Sequence, residues 1–166
     1  VLEDARRQAE AFDEEDFTNR EDLTQTTTLT IDPFDARDFD DAISLEQTQN
    51  GHWILGVHIA DVAHFVPPGS LLDQEAAIRA TSVYLPDMVI PMLPEIISNN
   101  LASLQPNKNR YAKTIFIEFT AEGIPVNSDV KRAVIKSDHR FNYKEVDDFL
   151  ANRSKWKEEL DEKVYY

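Results

Sequence analysis

The sequence predicts an α+β fold, in which a mainly antiparallel sheet and its helices occupy separate stretches of the chain. Alternating apolar and polar residues indicate several strands, and Asn50-Gly51 between two of them is the strongest hairpin signal in the chain. Helix-start signals stand at Ser70 and Asn142, outside the paired strands. With 166 residues and 42% hydrophobic content, the chain is long enough to enclose its own core.

The N-terminal stretch is expected to lead into the compact part of the chain. Leu2 to Phe12 is rich in Ala, Glu and Arg, which predicts a short helix. The charge run Asp13 to Asp16 is more typical of a solvated linker than of a site. We therefore assign residues 1–22 to a linker or helical lead-in and residues 23–166 to the compact part.

The first strand is predicted at Thr26 to Ile31, which is dense in β-branched residues. Pro33 lacks a backbone donor and ends this strand, so Asp32 stands at the strand end. The next two strands, Ile43 to Glu46 and His52 to Ile59, flank the Asn-Gly turn and are expected to pair as a hairpin.

The middle of the chain combines one helix with an irregular stretch. Ser70 is a good N-cap for a helix that runs to about Ser82. Pro86 and Pro91 then keep the chain extended and irregular. A second, short helix is predicted to start at Pro94-Glu95, because proline is well tolerated in the first turn.

Two more strands follow and are predicted to pair with each other. Lys113 to Thr120 alternates well, with Ile115 and Ile117 on one face. Gly123 turns the chain into Pro125 to Ile135, which is expected to run antiparallel to it.

The C-terminal part is predicted to be helical. Asn142 is an N-cap and Glu145 completes a capping box. Val146, Phe149 and Leu150 are expected to face inward from this helix. The remaining residues from Trp156 to Tyr166 either continue as helix or form an irregular end.

Five aspartates follow the first strand within ten residues, namely Asp32, Asp35, Asp38, Asp40 and Asp41. Two ionised carboxylates about 4 Å apart repel by roughly 4 kcal/mol at an effective dielectric constant near 20, so such a cluster needs bound cations, protons or side chains splayed into water. Mg²⁺ and Mn²⁺ prefer carboxylate oxygens, whereas zinc would need His or Cys and an EF-hand would need Gly and Glu at fixed positions that the loop lacks. The strand-loop-strand setting favours a metal site over a solvated acidic turn.

The same aspartates show a family resemblance. Thr30-Ile31-Asp32 followed by Asp38-Phe39-Asp40-Asp41-Ala42 resembles the metal-binding signature of the ribonuclease II and ribonuclease R family of 3′-to-5′ exoribonucleases. Later segments are similar to successive blocks of the same catalytic domain, in the same order: Val57 to Val62, Arg79 to Pro86, Ile90 to Glu95 and Leu101 to Leu104. The resemblance runs from about Arg20 to the C-terminus and is closer to bacterial ribonuclease R than to ribonuclease II.

The resemblance implies a hydrolase that removes nucleoside 5′-monophosphates processively from the 3′ end of single-stranded RNA by a two-metal mechanism. It implies that Asp32, Asp38, Asp40 and Asp41 bind Mg²⁺, with Mn²⁺ as a possible substitute, and that Asp40 is the most rate-critical of them. Asp35 is offset from this quartet and is left outside the metal set.

Two tyrosines fall on family positions that contact RNA. A tyrosine at the place of Tyr84 stacks on the 3′-terminal nucleotide, and such a stack is worth about 1 to 3 kcal/mol for any base. The alternative for Tyr84 is a buried ring at a helix end. Tyr143 matches a position implicated in RNA contact, although Phe141-Asn142-Tyr143 could equally form a hydrophobic staple.

Other polar residues give weaker signals. His58 lies in an apolar strand-like run, and a two-metal mechanism needs no protein base, so a structural histidine is favoured over a catalytic one. Asn99-Asn100 could contact phosphate or cap the preceding helix. Ser82 has no recognisable triad partners.

The charge of the chain argues against RNA binding. It has 31 acidic and 17 basic residues, for a net charge of −14, whereas nucleic-acid-binding surfaces are normally basic. We reconcile this charge with the resemblance by expecting residues 23–166 to be the N-terminal portion of the family's catalytic domain. The family's C-terminal portion and its flanking OB-type domains are absent here, and we expect weak or no activity from the isolated piece.

Two other function classes remain open. One is a catalytically inactive metal-binding or interaction module that retains the fold, and the other is a metal-dependent phosphohydrolase acting on small phosphates. The chain has no cysteine, no signal-peptide pattern and no apolar run near the roughly 20 residues that span a bilayer, so a cytoplasmic location without a membrane partner is expected. The sequence leaves the oligomeric state uncertain, with a monomer expected for the full-length form.

Overall fold

The computed structural model describes residues 1–166, and its centre is a seven-stranded sheet beside a small two-stranded one. The strands are β1 Glu21–Leu23, β2 Leu29–Asp32, β3 Asp41–Gln47, β4 Trp53–Ala60, β5 Val83–Tyr84, β6 Val89–Ile90, β7 Asn109–Phe119, β8 Pro125–Lys136 and β9 His139–Asn142. The α-helices are α1 Leu2–Ala11, α2 Val62–Phe65, α3 Leu71–Arg79, α4 Tyr143–Ala151 and α5 Glu162–Tyr165, and a π-helix Ile97–Leu101 and a 3₁₀ helix Arg153–Glu158 complete the list. No helix is long and apolar enough to cross a membrane.

The large sheet has the strand order β1-β8-β7-β4-β3-β2-β9. Four of its neighbouring pairs are antiparallel, and the two outer pairs, β1 with β8 and β2 with β9, are parallel. The prediction of an α+β fold with a mainly antiparallel sheet is confirmed. The parallel edges were not predicted, because three or four residues are too few to show a period.

Most predicted elements are present, with shifted ends. The first strand begins at Leu29 and not at Thr26, because the side chain of Asp22 accepts a hydrogen bond from Thr24 N at 3.0 Å and starts a turn. Helix α3 stops at Arg79, because Ala80 takes a left-handed conformation with φ 63°. The hairpin β5–β6 was not predicted, since its strands have two residues each.

One face of the large sheet is covered by the helices that come first in the chain, namely α1, α2, α3 and the π-helix. Ala42, Ala60 and Ala112 of β3, β4 and β7 belong to the same core as buried residues of α1, α2, α3 and the π-helix. Alanines on the strands let these helices approach closely, and the large side chains Phe65 and Ile97 fill the space between the layers.

The opposite face of the same strands is apolar and largely uncovered. Ile43, Val57, Ile115 and Val130 lie side by side across β3, β4, β7 and β8, and all but Val57 are exposed. We call this surface the outer face. The alternating apolar residues predicted for β7 therefore belong to the outer face and not to the core.

Helix α4, the 3₁₀ helix and α5 cover the edge of the outer face near β2 and β9. Phe141, Trp156 and Leu160 form a second cluster there. The predicted capping box is present, because Asn142 accepts from Glu145 N and the Glu145 side chain accepts from Asn142 N. The expectation that Leu150 faces inward is wrong: it is exposed in the last turn of α4, beyond the cluster.

Candidate functional site

The aspartate loop, residues 32–41, joins two neighbouring strands of the large sheet. Asp32 is the last residue of β2 and Asp41 is the first residue of β3, and these strands pair antiparallel. Because neighbouring strand ends meet at one edge, the two carboxylates start from adjacent positions. The prediction that Asp32 stands at a strand end is confirmed.

The backbone of the loop is hydrogen-bonded along its second half. Phe39 N donates to Ser103 Oγ at 3.0 Å, and Ala60 N of β4 donates to Asp40 O at 2.9 Å. These bonds fix the peptide unit before Phe39, whose ring is buried, and the peptide unit after Asp40. The side chains of Asp38 and Asp40 thus leave a backbone that is held by other parts of the fold.

The carboxylates of the quartet influence one another electrostatically. Burial and then the charge of Asp41 raise the pKa of Asp32, which is only 8% exposed. Desolvation by the surrounding protein, followed by the charges of Asp38 and Asp41, raises the pKa of Asp40. The charges of Asp38 and Asp41 thus act on both Asp32 and Asp40.

The quartet is not closed into a finished metal cage. No three His, Cys, Asp or Glu side chains meet closely enough to hold an ion as they stand. The buried Oδ2 of Asp32, however, has no hydrogen-bond partner by distance and angle. The Thr30 side chain acts to lower the pKa of this carboxyl, but its hydroxyl is itself without a hydrogen-bond partner. An unpartnered buried carboxylate oxygen among mutually repelling carboxylates fits a hard divalent cation, which would satisfy the oxygen and remove the repulsion.

Asp35 is the fifth aspartate of the loop and stays outside the proposed quartet. It is exposed in a turn that the hydrogen bond from Ala36 N to Pro33 O closes at 3.1 Å. It forms no ion pair with Arg37 in the structure.

The two tyrosines lie beside the aspartate loop. Tyr84 is 67% exposed, and its hydroxyl donates to Asp38 Oδ2 at 3.2 Å. The charge of Asp38 raises the pKa of the Tyr84 hydroxyl. Tyr143 is 58% exposed and follows Asn142, which pairs with Asp32 across β9 and β2. The alternative of a buried Tyr84 is wrong, and both rings are open to a ligand.

His58 is completely buried in the sheet and lies away from any open site. Its Nδ1 is hydrogen-bonded to Thr114 Oγ1 at 2.8 Å and its Nε2 to Ser44 Oγ at 3.0 Å. Burial lowers the pKa of His58 to about 4. The structural interpretation of this histidine is therefore supported, since both ring nitrogens already have partners inside the core.

His58 should make the stability of the fold depend on pH. Its pKa is lower in the folded state than the unfolded value near 6.5, so between these values the unfolded chain binds the extra proton. Stability is fully present above pH 6.5 and falls toward pH 4, by about 3 kcal/mol from this group. Urea unfolding at pH 7.0 and 4.5 measures the loss.

The control for this prediction is the His58→Gln variant, which cannot titrate. Burial also lowers the pKa of His64 and His139, so both proteins keep the pH dependence of those groups. The wild type should lose about 2 kcal/mol more than the variant on acidification. Equal losses in the two proteins would show that His58 is protonated as easily in the folded chain as in the unfolded one.

The remaining polar candidates from the sequence are Asn99, Asn100 and Ser82. Asn99 and Asn100 lie inside the π-helix and line an open cleft together with Arg37 and Phe39. They therefore do not form the cap on a preceding helix that the sequence left as one of two alternatives. Ser82 Oγ accepts a hydrogen bond from Met92 N at 2.9 Å.

Two residues that contact the aspartate loop were missed by sequence reasoning. Ser103 lies in the segment Leu101 to Leu104, where a family block was noted but no role was assigned. Arg140 contacts the loop through backbone carbonyls across a separation of 107 residues. Local sequence patterns contain no signal for such a contact.

Residues 20–164 match the protein family described as the RNB domain. Ribonuclease R of Thermotoga maritima is 50% identical over 143 residues, covering 86% of this chain and 20% of the relative. Ribonuclease R of Chlamydia muridarum is 49% identical over 135 residues, again 20% of the relative. The chain thus spans about a fifth of the length of the curated relatives it matches.

Mycoplasma genitalium RNase R in complex with ribose methylated single-stranded RNA has a TM-score of 0.88 to this chain. The two are 37% identical, and the match covers 99% of this chain and 26% of that chain. The similarity therefore includes nearly every element described above, in the same arrangement.

Proposed function

The chain belongs to the RNB domain family, and on this basis we propose that it is part of a 3′-to-5′ exoribonuclease that degrades single-stranded RNA to nucleoside 5′-monophosphates. The observation that supports this most is the aspartate quartet at the joined ends of β2 and β3, with an unpartnered buried oxygen on Asp32. A relative whose solved structure contains single-stranded RNA shares the same fold at 37% identity.

In the proposed mechanism the quartet would hold two divalent cations, Mg²⁺ or Mn²⁺. Such ions, when bound, activate a water molecule and stabilise the departing oxygen of a phosphodiester. The chain's own contribution is to present four carboxylates from two strand ends and a held loop, in a partly desolvated setting. Asp32 supplies a buried oxygen, and Asp40 supplies a carboxylate whose pKa the neighbouring protein already raises.

Tyr84 and Tyr143 would hold the RNA end in this site. Their rings are exposed and flank the aspartate loop, so bases could stack on them without any demand on sequence. The hydrogen bond from the Tyr84 hydroxyl to Asp38 supports this role, because it links the first ring to one of the proposed metal ligands.

We expect Tyr84→Ala to lengthen the smallest product that the enzyme leaves, because the terminal base loses a stack worth about 1 to 3 kcal/mol. Tyr84→Phe is the matched control, since it keeps the ring and removes only the hydroxyl that bonds Asp38. Product lengths are read from a 5′-labelled oligonucleotide on a denaturing gel. If both variants leave the wild-type product, Tyr84 does not hold the RNA end.

We further propose that this chain is the N-terminal portion of a catalytic domain within a longer, monomeric protein. Curated relatives are about five times longer, and the outer face exposes apolar residues on β3, β7 and β8. The net charge of −14 is consistent with this, because other parts of such a protein would supply the basic RNA channel.

One assay separates the candidate functions. A 5′-labelled RNA incubated with the longer protein and Mg²⁺ should give a ladder that collapses to a short end product. Release of phosphate from small phosphate esters with intact RNA would support the small-molecule hydrolase.

The second candidate is a module that keeps the fold without the chemistry. Yeast Ssd1, described as a pseudonuclease, has a TM-score of 0.76 at 21% identity, covering 82% of this chain and 17% of that one, which shows the fold alone. The carboxylates, moreover, are not closed into a cage. RNA that stays intact while still binding the protein would favour this candidate.

A further inference from the structure

We propose that Arg140 and Ser103 are positioning residues that hold the two halves of the aspartate loop in the shape that its cations require. The inference rests on the proposed function for the cations, but the positioning itself can be measured without them.

Arg140 contacts both halves of the loop with one side chain. It lies on β9 opposite Thr30 of β2, and its Nη2 donates to Pro33 O at 2.7 Å and to Phe34 O at 2.8 Å. The guanidinium carbon lies 5.0 Å from the centre of the Phe39 ring. The residues just after Asp32 and the residue just before Asp40 are thus held by the same group.

The side chain of Arg140 is suited to this double contact. Its planar group can lie over an aromatic ring while its edge donates to two carbonyls. A lysine keeps the positive charge but has no flat face to cover Phe39.

Ser103 holds the second half of the loop. Its hydroxyl is fully buried, accepts from Phe39 N at 3.0 Å and donates to Arg37 O at 3.1 Å. Leu104 N also donates to Phe39 O at 2.8 Å. Asp38 lies between Arg37 and Phe39, so the residues on both of its sides are bonded to the same short segment.

Ser103 is in turn held by a buried cation of the core. Arg110 donates from Nε to Ser103 O at 3.1 Å and from Nη1 to Glu14 Oε1 at 2.8 Å. The carbonyl and the hydroxyl of Ser103 are therefore both fixed, which gives the loop a rigid support.

This support matters because the carboxylates of the loop repel one another. Residues 36–40 form no helix or strand, and the carboxylates of Asp32, Asp38, Asp40 and Asp41 repel one another before any cation binds. Without the bonds from Arg140 and Ser103, that repulsion would drive the carboxylates apart into water.

The charge of Arg140 and its positioning contacts have opposite effects on the affinity of the aspartate loop for a cation. Its charge acts on Asp32, opposing the upward shift that burial gives the pKa of that group. By charge alone, removing the guanidinium would make cation binding tighter, since a repelling group is lost. By positioning, the same substitution makes it weaker.

The test is Mn²⁺ binding to the 166-residue chain, measured by electron paramagnetic resonance of free Mn²⁺. Arg140→Gln, Arg140→Lys and Ser103→Ala should each weaken binding by about 10- to 100-fold, the loss typical when a group supporting metal ligands is removed. Two matched controls should stay within about twofold of wild type: Arg132→Gln, an exposed arginine outside the loop, and Ser137→Ala, another fully buried serine. Unchanged or tighter binding in Arg140→Gln would overturn the proposal.

Hydrogen exchange separates a failure of positioning from a failure of the metal site. Without metal, Arg140→Gln should speed exchange of the Ala36 amide and Ser103→Ala that of the Phe39 amide by about tenfold or more, which corresponds to about 1.4 kcal/mol of lost protection. Amides of β7 and β8 should keep wild-type rates, which shows that the variants fold. If these loop amides keep wild-type rates, the positioning role is wrong. If exchange rises as expected but the wild type binds no Mn²⁺, the metal function fails and the positioning role stands.

Discussion

The Asp40→Asn variant of the longer protein should lose RNA turnover by about a thousandfold or more while still binding RNA, a loss of about 4 kcal/mol in transition-state stabilisation. The change removes the charge of one carboxylate in the proposed cation site and leaves the tyrosines and the backbone of the loop in place. Single-turnover cleavage of a 5′-labelled RNA gives the rate. A gel shift without Mg²⁺ gives the affinity.

Asp35→Asn is the control for this substitution. It makes the same chemical change in the same loop, but Asp35 is exposed in a turn outside the quartet. Its turnover should stay within a few-fold of the wild type. A near-normal turnover rate in Asp40→Asn would show that Asp40 is misassigned. An equal loss of turnover in both variants would show that the quartet is no more important for turnover than Asp35.

Gly56→Ala should destabilise the fold by about 2 to 4 kcal/mol. A Cβ at this position would lie 2.3 Å from Ser44 Oγ and 2.9 Å from His58 Nε2. Both atoms belong to the buried hydrogen-bonded row that joins β3, β4 and β7. The methyl group must therefore push Ser44 away and leave a buried histidine nitrogen without its partner.

Thermal unfolding of the 166-residue chain measures this loss, which should lower the melting temperature by about 10 °C. The control is a double-mutant cycle with Ser44→Ala, which removes the clashing oxygen. Gly56→Ala should then cost at least about 1 kcal/mol less than it does in the wild type. Additive effects would mean that the clash with Ser44 is not the cause.

The parts of the fold that follow from local pattern were predictable from sequence. The β3–β4 hairpin, the capped helix α4 and the β7–β8 pair each carry their signal within one continuous stretch of the chain. The edge strands β1 and β9 do not, because they are short and pair with strands far away in sequence. The outer face could not be predicted either. Alternation of apolar and polar residues shows that a strand has an apolar face, but not whether other residues cover that face.

The residues of the candidate site were likewise only partly predictable from the sequence. The aspartates and their place at strand ends were visible in the sequence, and so was the family resemblance that their motif carries. The contacts of Arg140 and Ser103 were not, because each acts through backbone atoms of a distant loop. Tyr84 itself was ambiguous until the structure showed an exposed ring bonded to Asp38.

Anomalous X-ray scattering from crystals of the wild-type chain soaked in Mn²⁺ tests the metal assignment most directly. We predict anomalous peaks in contact with the carboxylate oxygens of Asp32, Asp38, Asp40 and Asp41, reached by rotation of side chains on an unmoved backbone. A crystal that takes up Mn²⁺ elsewhere, with these four carboxylates pointing apart into solvent, would contradict it.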